Sequence, residues 1–198
     1  MTRPAAHVRV PSYCRHAARD TAYVRLDGKI HYLPGAYAYE KKGDLDQAIT
    51  DLNQGIQLNP QDAGAYYNRG WAYSKKGDFD QAIADLTQAI QLDPKYVSAY
   101  NNRGAAYQNK GEFDNAIADA TQAIQLDPKN ASAYNCRGDA YAKKGELDKA
   151  IADLTQAIQL DPKDSRAYNS RSQAYQAKGD AAKAQTDFDQ AKKLDHPP

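Results

Sequence analysis

The chain has 198 residues, with 26 Lys plus Arg against 25 Asp plus Glu. A net charge near zero argues against a nucleic-acid binder working through a basic stripe. No run of about 18 apolar residues exists to span a membrane, and the two cysteines, Cys14 and Cys136, make neither a disulfide framework nor a metal-ligand spacing. Free thiols suit a reducing compartment, so a cytoplasmic location is expected.

Residues 1–28 differ in kind from the rest. Arg3, Arg9, Arg15, Arg19 and Arg25 face only Asp20 and Asp27, and no apolar stretch is long enough for a secretory signal. Arg-rich, acid-poor composition is a transit-peptide trait, but no amphipathic period accompanies it. This segment reads as a poorly ordered or atypical extension.

From residue 29 the chain repeats every 34 residues. Pro60, Pro94, Pro128 and Pro162 keep that spacing, and AYYNRGWAYSKKGDFDQAIADLTQAIQLDP (65–94) returns at 99–128 and 133–162 with few changes. Such a period marks helix pairs that bury their apolar faces only by stacking on neighbours. Five units follow: 29–62, 63–96, 97–130, 131–164 and 165–198. The first is degenerate. Pro34 falls inside its first helix, where proline breaks the hydrogen-bond ladder, and Gly35 and Ala36 replace the Arg-Gly of the other units.

Within 63–96 a first helix spans about Ala65 to Tyr73, and Lys75-Lys76-Gly77 closes it. Asp78 and Gln81 form a capping-box pattern. A second helix runs from Phe79 to Leu92, and Pro94 prevents its continuation. On a helical wheel Tyr66, Gly70 and Tyr73 make the buried seam, with Tyr67, Asn68, Trp71 and Lys75 opposite. Phe79, Ala82, Ile83, Leu86, Ala89 and Ile90 form the apolar face of the second helix. In the last unit Gln185 and Lys192 replace isoleucines of the earlier units, which predicts a polar capping repeat at a true end. The N-terminal face has no such signal. It is left to residues 1–28, another copy or a longer chain to cover.

Arginine recurs at 69, 103, 137 and 171, and aspartate at 85, 119, 153 and 187. Each arginine precedes the inter-helix glycine by as much as its aspartate follows it, and both lie equally off their stripes. Four ion pairs within units are predicted: Arg69–Asp85, Arg103–Asp119, Arg137–Asp153 and Arg171–Asp187. Asp51 has Gly35 in place of an arginine, and either reaches Arg69 or is solvated.

The repeated slots closely resemble those of the tetratricopeptide repeat (TPR) family. Its pattern of aromatic, Gly, Tyr, Ala, large apolar, Ala, Pro appears as Tyr66, Gly70, Tyr73, Ala82, Leu86, Ala89 and Pro94, and again from Tyr100 and from Tyr134. The resemblance covers 29–198. It implies an all-α fold, a right-handed α-solenoid of stacked antiparallel helix pairs, whose first helices line a concave groove. The groove slots are then Tyr67, Asn68, Trp71, Lys75, Asn101, Asn102, Asn109, Asn135, Asp139, Asn169 and Gln173. Tyr67 and Trp71 would form an aromatic patch, and the asparagines a ladder able to donate to and accept from an extended backbone. The competing reading stays open: the asparagines are plain polar surface, and Trp71 packs against the first unit. Chaperone-adaptor relatives clamp a terminal carboxylate, but their first Lys slot holds Leu33, Tyr67, Asn101, Asn135 and Asn169 here, which disfavours that role.

The expected function is a non-catalytic scaffold for a peptide or partner protein, with no cofactor, metal or nucleic acid. No phosphate loop, metal-spaced cluster or triad is present, and His7, His16, His31 and His196 all lie at the ends. The alternatives are self-association into a dimer through the uncapped N-terminal face, and a fragment of a larger protein.

Overall fold

The structure, a computed structural model, describes residues 21–26, 29–34 and 42–195, with side chains from residue 45. Strands β1 (Thr21–Leu26) and β2 (Lys29–Pro34) pair antiparallel, Thr21 opposite Pro34 and Leu26 opposite Lys29. Nine helices follow among the described residues: α1 (Lys42–Leu58), α2 (Ala63–Lys76), α3 (Phe79–Leu92), α4 (Val97–Lys110), α5 (Phe113–Leu126), α6 (Ala131–Lys143), α7 (Leu147–Leu160), α8 (Ser165–Lys178) and α9 (Ala181–Asp195). They stack as an α-solenoid, each of α2/α3, α4/α5, α6/α7 and α8/α9 an antiparallel pair.

The hairpin at the start of the array departs from the sequence pattern. Strand β2 stands where the first unit would begin its first helix and ends at Pro34, a residue that a helix interior rejects. Strand β1 lies against α1 and α2, so it covers part of the N-terminal end. The expectation of poor order for residues 1–20 and 27–28 lies outside the described residues, as do His7, His16 and His196.

Helix α2 ends at Gly77, whose φ of 87° favours a residue without Cβ; the Asp78 N–H then bonds the Tyr73 carbonyl at 2.9 Å. The capping box does not form at Asp78. Asp78 is held at φ −83°, ψ 66°, and makes no side-chain cap bond. Side-chain caps form on the first helices, where Asp62 accepts from the Ala65 N–H, Asn130 from Ala133 and Asp164 from Arg166, and at α9, where Asp180 accepts from the Lys183 N–H at 3.2 Å.

The core is built from small residues. Ala65, Ala82, Ala89, Ala99, Ala116 and Ala133 are fully buried, and Leu86 and Leu154 are the largest fully buried side chains. A Cβ on Gly138 would lie 2.7 Å from Leu154 Cγ, so glycine permits that contact. In the third unit Ala120 replaces the leucine, and the Cys136 thiol of the next unit sits against Gly104. The fifth unit holds Ser172 at the glycine place, its hydroxyl donating to the Ala184 carbonyl at 2.7 Å. Phe188, in the leucine column, is 51% exposed. Leu154 packs against Ala174 of the following pair, and no described helix beyond α9 does this for Phe188. Gln185 and Lys192 are exposed beside it.

Successive units are tied by lysines at the ends of the first helices. Lys76 bonds Asp46 at 2.5 Å, Lys110 bonds Asp80 at 2.8 Å, Lys144 bonds Asp114 at 2.6 Å, and Lys178 bonds Asp148. The next place in that aspartate column is Ala182. First helices also touch in succession, α2 to α4, α4 to α6 and α6 to α8, while no comparable contact joins the second helices. The inner side of the curve is therefore the side of α2, α4, α6 and α8.

Candidate functional site

The arginine column belongs to the scaffold. Arg103 donates from Nε and Nη2 to the two oxygens of Asp119 at 2.8 and 2.7 Å, and from Nη1 to Thr87 of the preceding unit at 2.9 Å. Arg69, Arg137 and Arg171 repeat this fork on Asp85, Asp153 and Asp187. Their third donors reach Asn53, Thr121 and Thr155. The rings of Tyr66, Tyr100, Tyr134 and Tyr168 lie 5.6 to 5.9 Å from the guanidinium carbons. The hydrogen bond to aspartate holds these guanidinium groups above their usual range; for Arg103 burial is the larger, opposing influence. Forks so engaged are not free for a phosphate. Asp51 takes neither expected course. It is buried and accepts from Gln47 at 2.9 Å, and Arg69 turns to Asn53 instead.

The inner faces of α2, α4, α6 and α8 carry the variable residues. Tyr67 departs from its expected place. It is 7% exposed and stacks on Tyr96, ring centroids 4.8 Å apart, as part of the wall between the second and third units. The wheel allowed one buried seam, but a first helix has neighbours on both sides. Trp71 is half-buried against Leu45, Ile49 and Ala72, with the Lys75 ammonium 5.5 Å from its ring centre. Trp71 thus seals the first unit to the second, and Asn68 beside it is half-buried too.

The next two junctions differ. The Asn101 amide donates to Asn130 Oδ1 at 3.3 Å, and the Asn135 amide to Asp164 Oδ2 at 3.4 Å. Asn130 and Asp164 are the caps of α6 and α8, and Tyr96 holds the same place before α4. A carboxylate can only accept, so the NH2 of Asn135 must face Asp164. The oxygen of Asn130 is already fixed by capping Ala133, so the NH2 of Asn101 must face it. Both asparagines are left with a buried Oδ1 that has no donor. Asn102 Nδ2 is likewise buried without an acceptor. A buried polar atom left unpaired costs about 1–3 kcal/mol, which the fold recovers only when something else supplies the bond.

Around these lie the remaining slots. Asn109 is exposed and donates to the Ala105 carbonyl at 2.9 Å, and Gln173 is exposed. Asn169 is half-buried on α8. Asp139 sits one turn beyond Asn135 on α6; burial pushes its carboxyl above the usual range, opposed by a bond from Ser170 and by Lys143 and Arg166. Burial pushes the Cys136 thiol up to about 12. Among the described residues no group of three acidic, His or Cys side chains could hold a metal ion. No described helix is long and apolar enough to cross a membrane. Sequence reasoning missed Tyr96, Asn130 and Asp164. Their signal was a constant separation of 29 residues from Tyr67, Asn101 and Asn135, at the N-cap place of the next helix.

The TPR repeat family model matches residues 36–77, 72–111 and 138–179. Further tetratricopeptide repeat models match 97–130, 120–152 and 165–196. Among curated proteins none matches. The fold is similar to a crystal structure of MamA, with a TM-score of 0.70 and 30% identity over 80% of this chain and 96% of that one. It is similar to TTC0263, a TPR protein of Thermus thermophilus, at 0.65 and 26% over 77% and 84%. YrrB, described as a TPR protein with an unusual peptide-binding site, gives 0.63 and 21% over 77% and 78%, a likeness of fold alone. Repeat period, paired helices and family matches agree: this chain belongs to the tetratricopeptide repeat family, whose members act as protein-interaction scaffolds.

Proposed function

We propose that this chain binds an extended peptide, or an extended segment of a partner protein, along the inner faces of α4, α6 and α8. The observation that carries this reading is the pair Asn101 Oδ1 and Asn135 Oδ1. They are two buried carbonyl acceptors one repeat apart, each aimed by a helix cap and each without a donor. A peptide in extended conformation offers a backbone N–H at every residue, and Asn102 Nδ2 supplies a donor for one of its carbonyls. Backbone recognition of this kind gives affinity with loose sequence preference. The aromatic end contributes wall more than contact, since Tyr67 is folded onto Tyr96 and Trp71 onto α1.

The test is affinity capture from the source lysate with mass spectrometry. The full chain is run beside an Asn101→Ala, Asn102→Ala, Asn135→Ala variant of equal helicity. A partner held by the first and lost by the second supports the groove; partners indifferent to the triple variant overturn it. A second reading, self-association, draws on Phe188 and on Leu58, which is 77% exposed at the end of α1. Mass that rises with concentration in sedimentation, and falls back in a Phe188→Ser, Leu58→Ser variant, supports it.

A further inference from the structure

We propose that the ligand of this groove presents an arginine or lysine side chain to Asn135 and Asp139 at the junction of the fourth and fifth units. The proposal rests on the groove reading above and adds to it the chemistry of the ligand.

Asp139 is the one acid among the inner-face slots of the four first helices. Its column reads Trp71, Ala105, Asp139, Gln173. A position that holds an indole, a methyl, a carboxylate and an amide in successive units has no shared scaffold role. The buried aspartates of α3, α5, α7 and α9, by contrast, each face an arginine. Asp139 has no ion pair among the described residues, and its one bond comes from the Ser170 hydroxyl. Lys143 on its own helix and Arg166 on α8 lie close enough to feel its charge, but Arg166 is forked onto Asp164 at 3.1 Å. The half-buried carboxylate therefore carries a desolvation cost that nothing nearby fully offsets.

The second observation is independent of the charge. Asn135 is 6% exposed, and its Oδ1 has no partner. It precedes Asp139 by four residues on α6, so the two side chains are neighbours on one helix face. This spot thus offers two acceptors, the amide oxygen and the carboxylate; of the donors around it, the Ser170 hydroxyl already bonds Asp139 and Arg166 is forked onto Asp164. The complement is a group with several N–H donors and a positive charge. A neutral donor would satisfy Asn135 and leave the carboxylate uncompensated, and an acidic side chain would be repelled. A divalent cation fits poorly. Such ions take six or more oxygens, and the carboxylates here are Asp139 and the already forked Asp164. The corresponding spot one repeat earlier pairs Asn101 with Ala105. It can accept a backbone N–H but does not select for charge.

The experiment is selection of displayed random dodecapeptides on the full chain, on Asp139→Asn, and on the Asn101→Ala, Asn135→Ala double variant. Asn is nearly isosteric with Asp and removes a buried charge, so the single variant keeps its fold, checked by its melting temperature. The expected result is enrichment of Arg or Lys at one fixed position on the wild type, lost on Asp139→Asn. Replacing that residue by Gln in the strongest peptide should weaken binding by about ten- to a hundredfold on the wild type, and little on Asp139→Asn. Peptides that require Asn101 and Asn135 but show no basic position would overturn this proposal and leave the groove reading standing. Recovery of no peptide that depends on Asn101 and Asn135 would overturn both.

Discussion

The amide of Asn135 donates to the carboxylate of Asp164, 29 residues on at the cap of the next unit's first helix, and that bond decides which way Asn135 faces the groove. Asp164 also caps α8 through the Arg166 N–H. One residue therefore starts a helix and orients a candidate binding group. Asp164→Ala should lower stability by about 1 kcal/mol through the lost cap. It should also weaken any groove ligand, because Asn135 would be free to turn. Urea unfolding reads the first effect and titration with a selected peptide reads the second; unchanged affinity would show that the cap does not set the site.

Arg103→Ala should cost about 3–5 kcal/mol, since Asp119 is 5% exposed and would remain as a buried, unpaired charge. Lys144→Ala removes two surface ion pairs, to Asp114 and Glu146, where water screens the attraction, and should leave the unfolding midpoint nearly unchanged. Equal losses in the two variants would mean that the forks contribute no more than surface pairs.

Two glycines in the same column should respond oppositely to alanine. At Gly138 the new Cβ would meet Leu154 Cγ at 2.7 Å and the Ala150 carbonyl oxygen at 3.2 Å, so Gly138→Ala should destabilise by about 1–3 kcal/mol. At Gly104 the nearest atom is Cys136 Sγ at 3.4 Å, an ordinary contact. Gly104→Ala should be neutral or stabilise by up to about 1 kcal/mol, because alanine loses less backbone entropy in a helix. Thermal unfolding of both variants checks the sign.

Cys136 should report unfolding. Its thiol is pushed up to about 12 by burial, so at about pH 8 almost no thiolate is present, whereas an unfolded cysteine ionises near its ordinary value of about 8.5. In a Cys14→Ala background a disulfide reagent should label the native protein slowly and the denatured protein at once. Rapid native labelling would place the thiol in contact with solvent.

Period and punctuation were enough to read the helices from residue 63 onward. Proline every 34 residues and glycine between the helices set where each begins and ends, and α3 spans Phe79 to Leu92 as the pattern requires. The arginine and aspartate columns could be paired on paper because two helices of one unit share a local geometry. What the wheel could not show was the neighbour at the cap of the next first helix. Tyr67 looked exposed until Tyr96 covered it, and Asp78 looked like a cap but makes no side-chain bond to its helix.

The sequence by itself determined the repeat, the helix limits and the scaffold ion pairs, because these rest on contacts within about one unit, where separation along the chain fixes separation in space. Only the tertiary structure decided which inner-face side chains remain available. That depends on the stacking of one unit on the next, through Tyr96 over Tyr67, Asn130 beside Asn101 and Asp164 beside Asn135. An amide has a donor end and an acceptor end, and which end faces the groove is set by a partner 29 residues on, at the cap of the next first helix, that no wheel of a single helix contains.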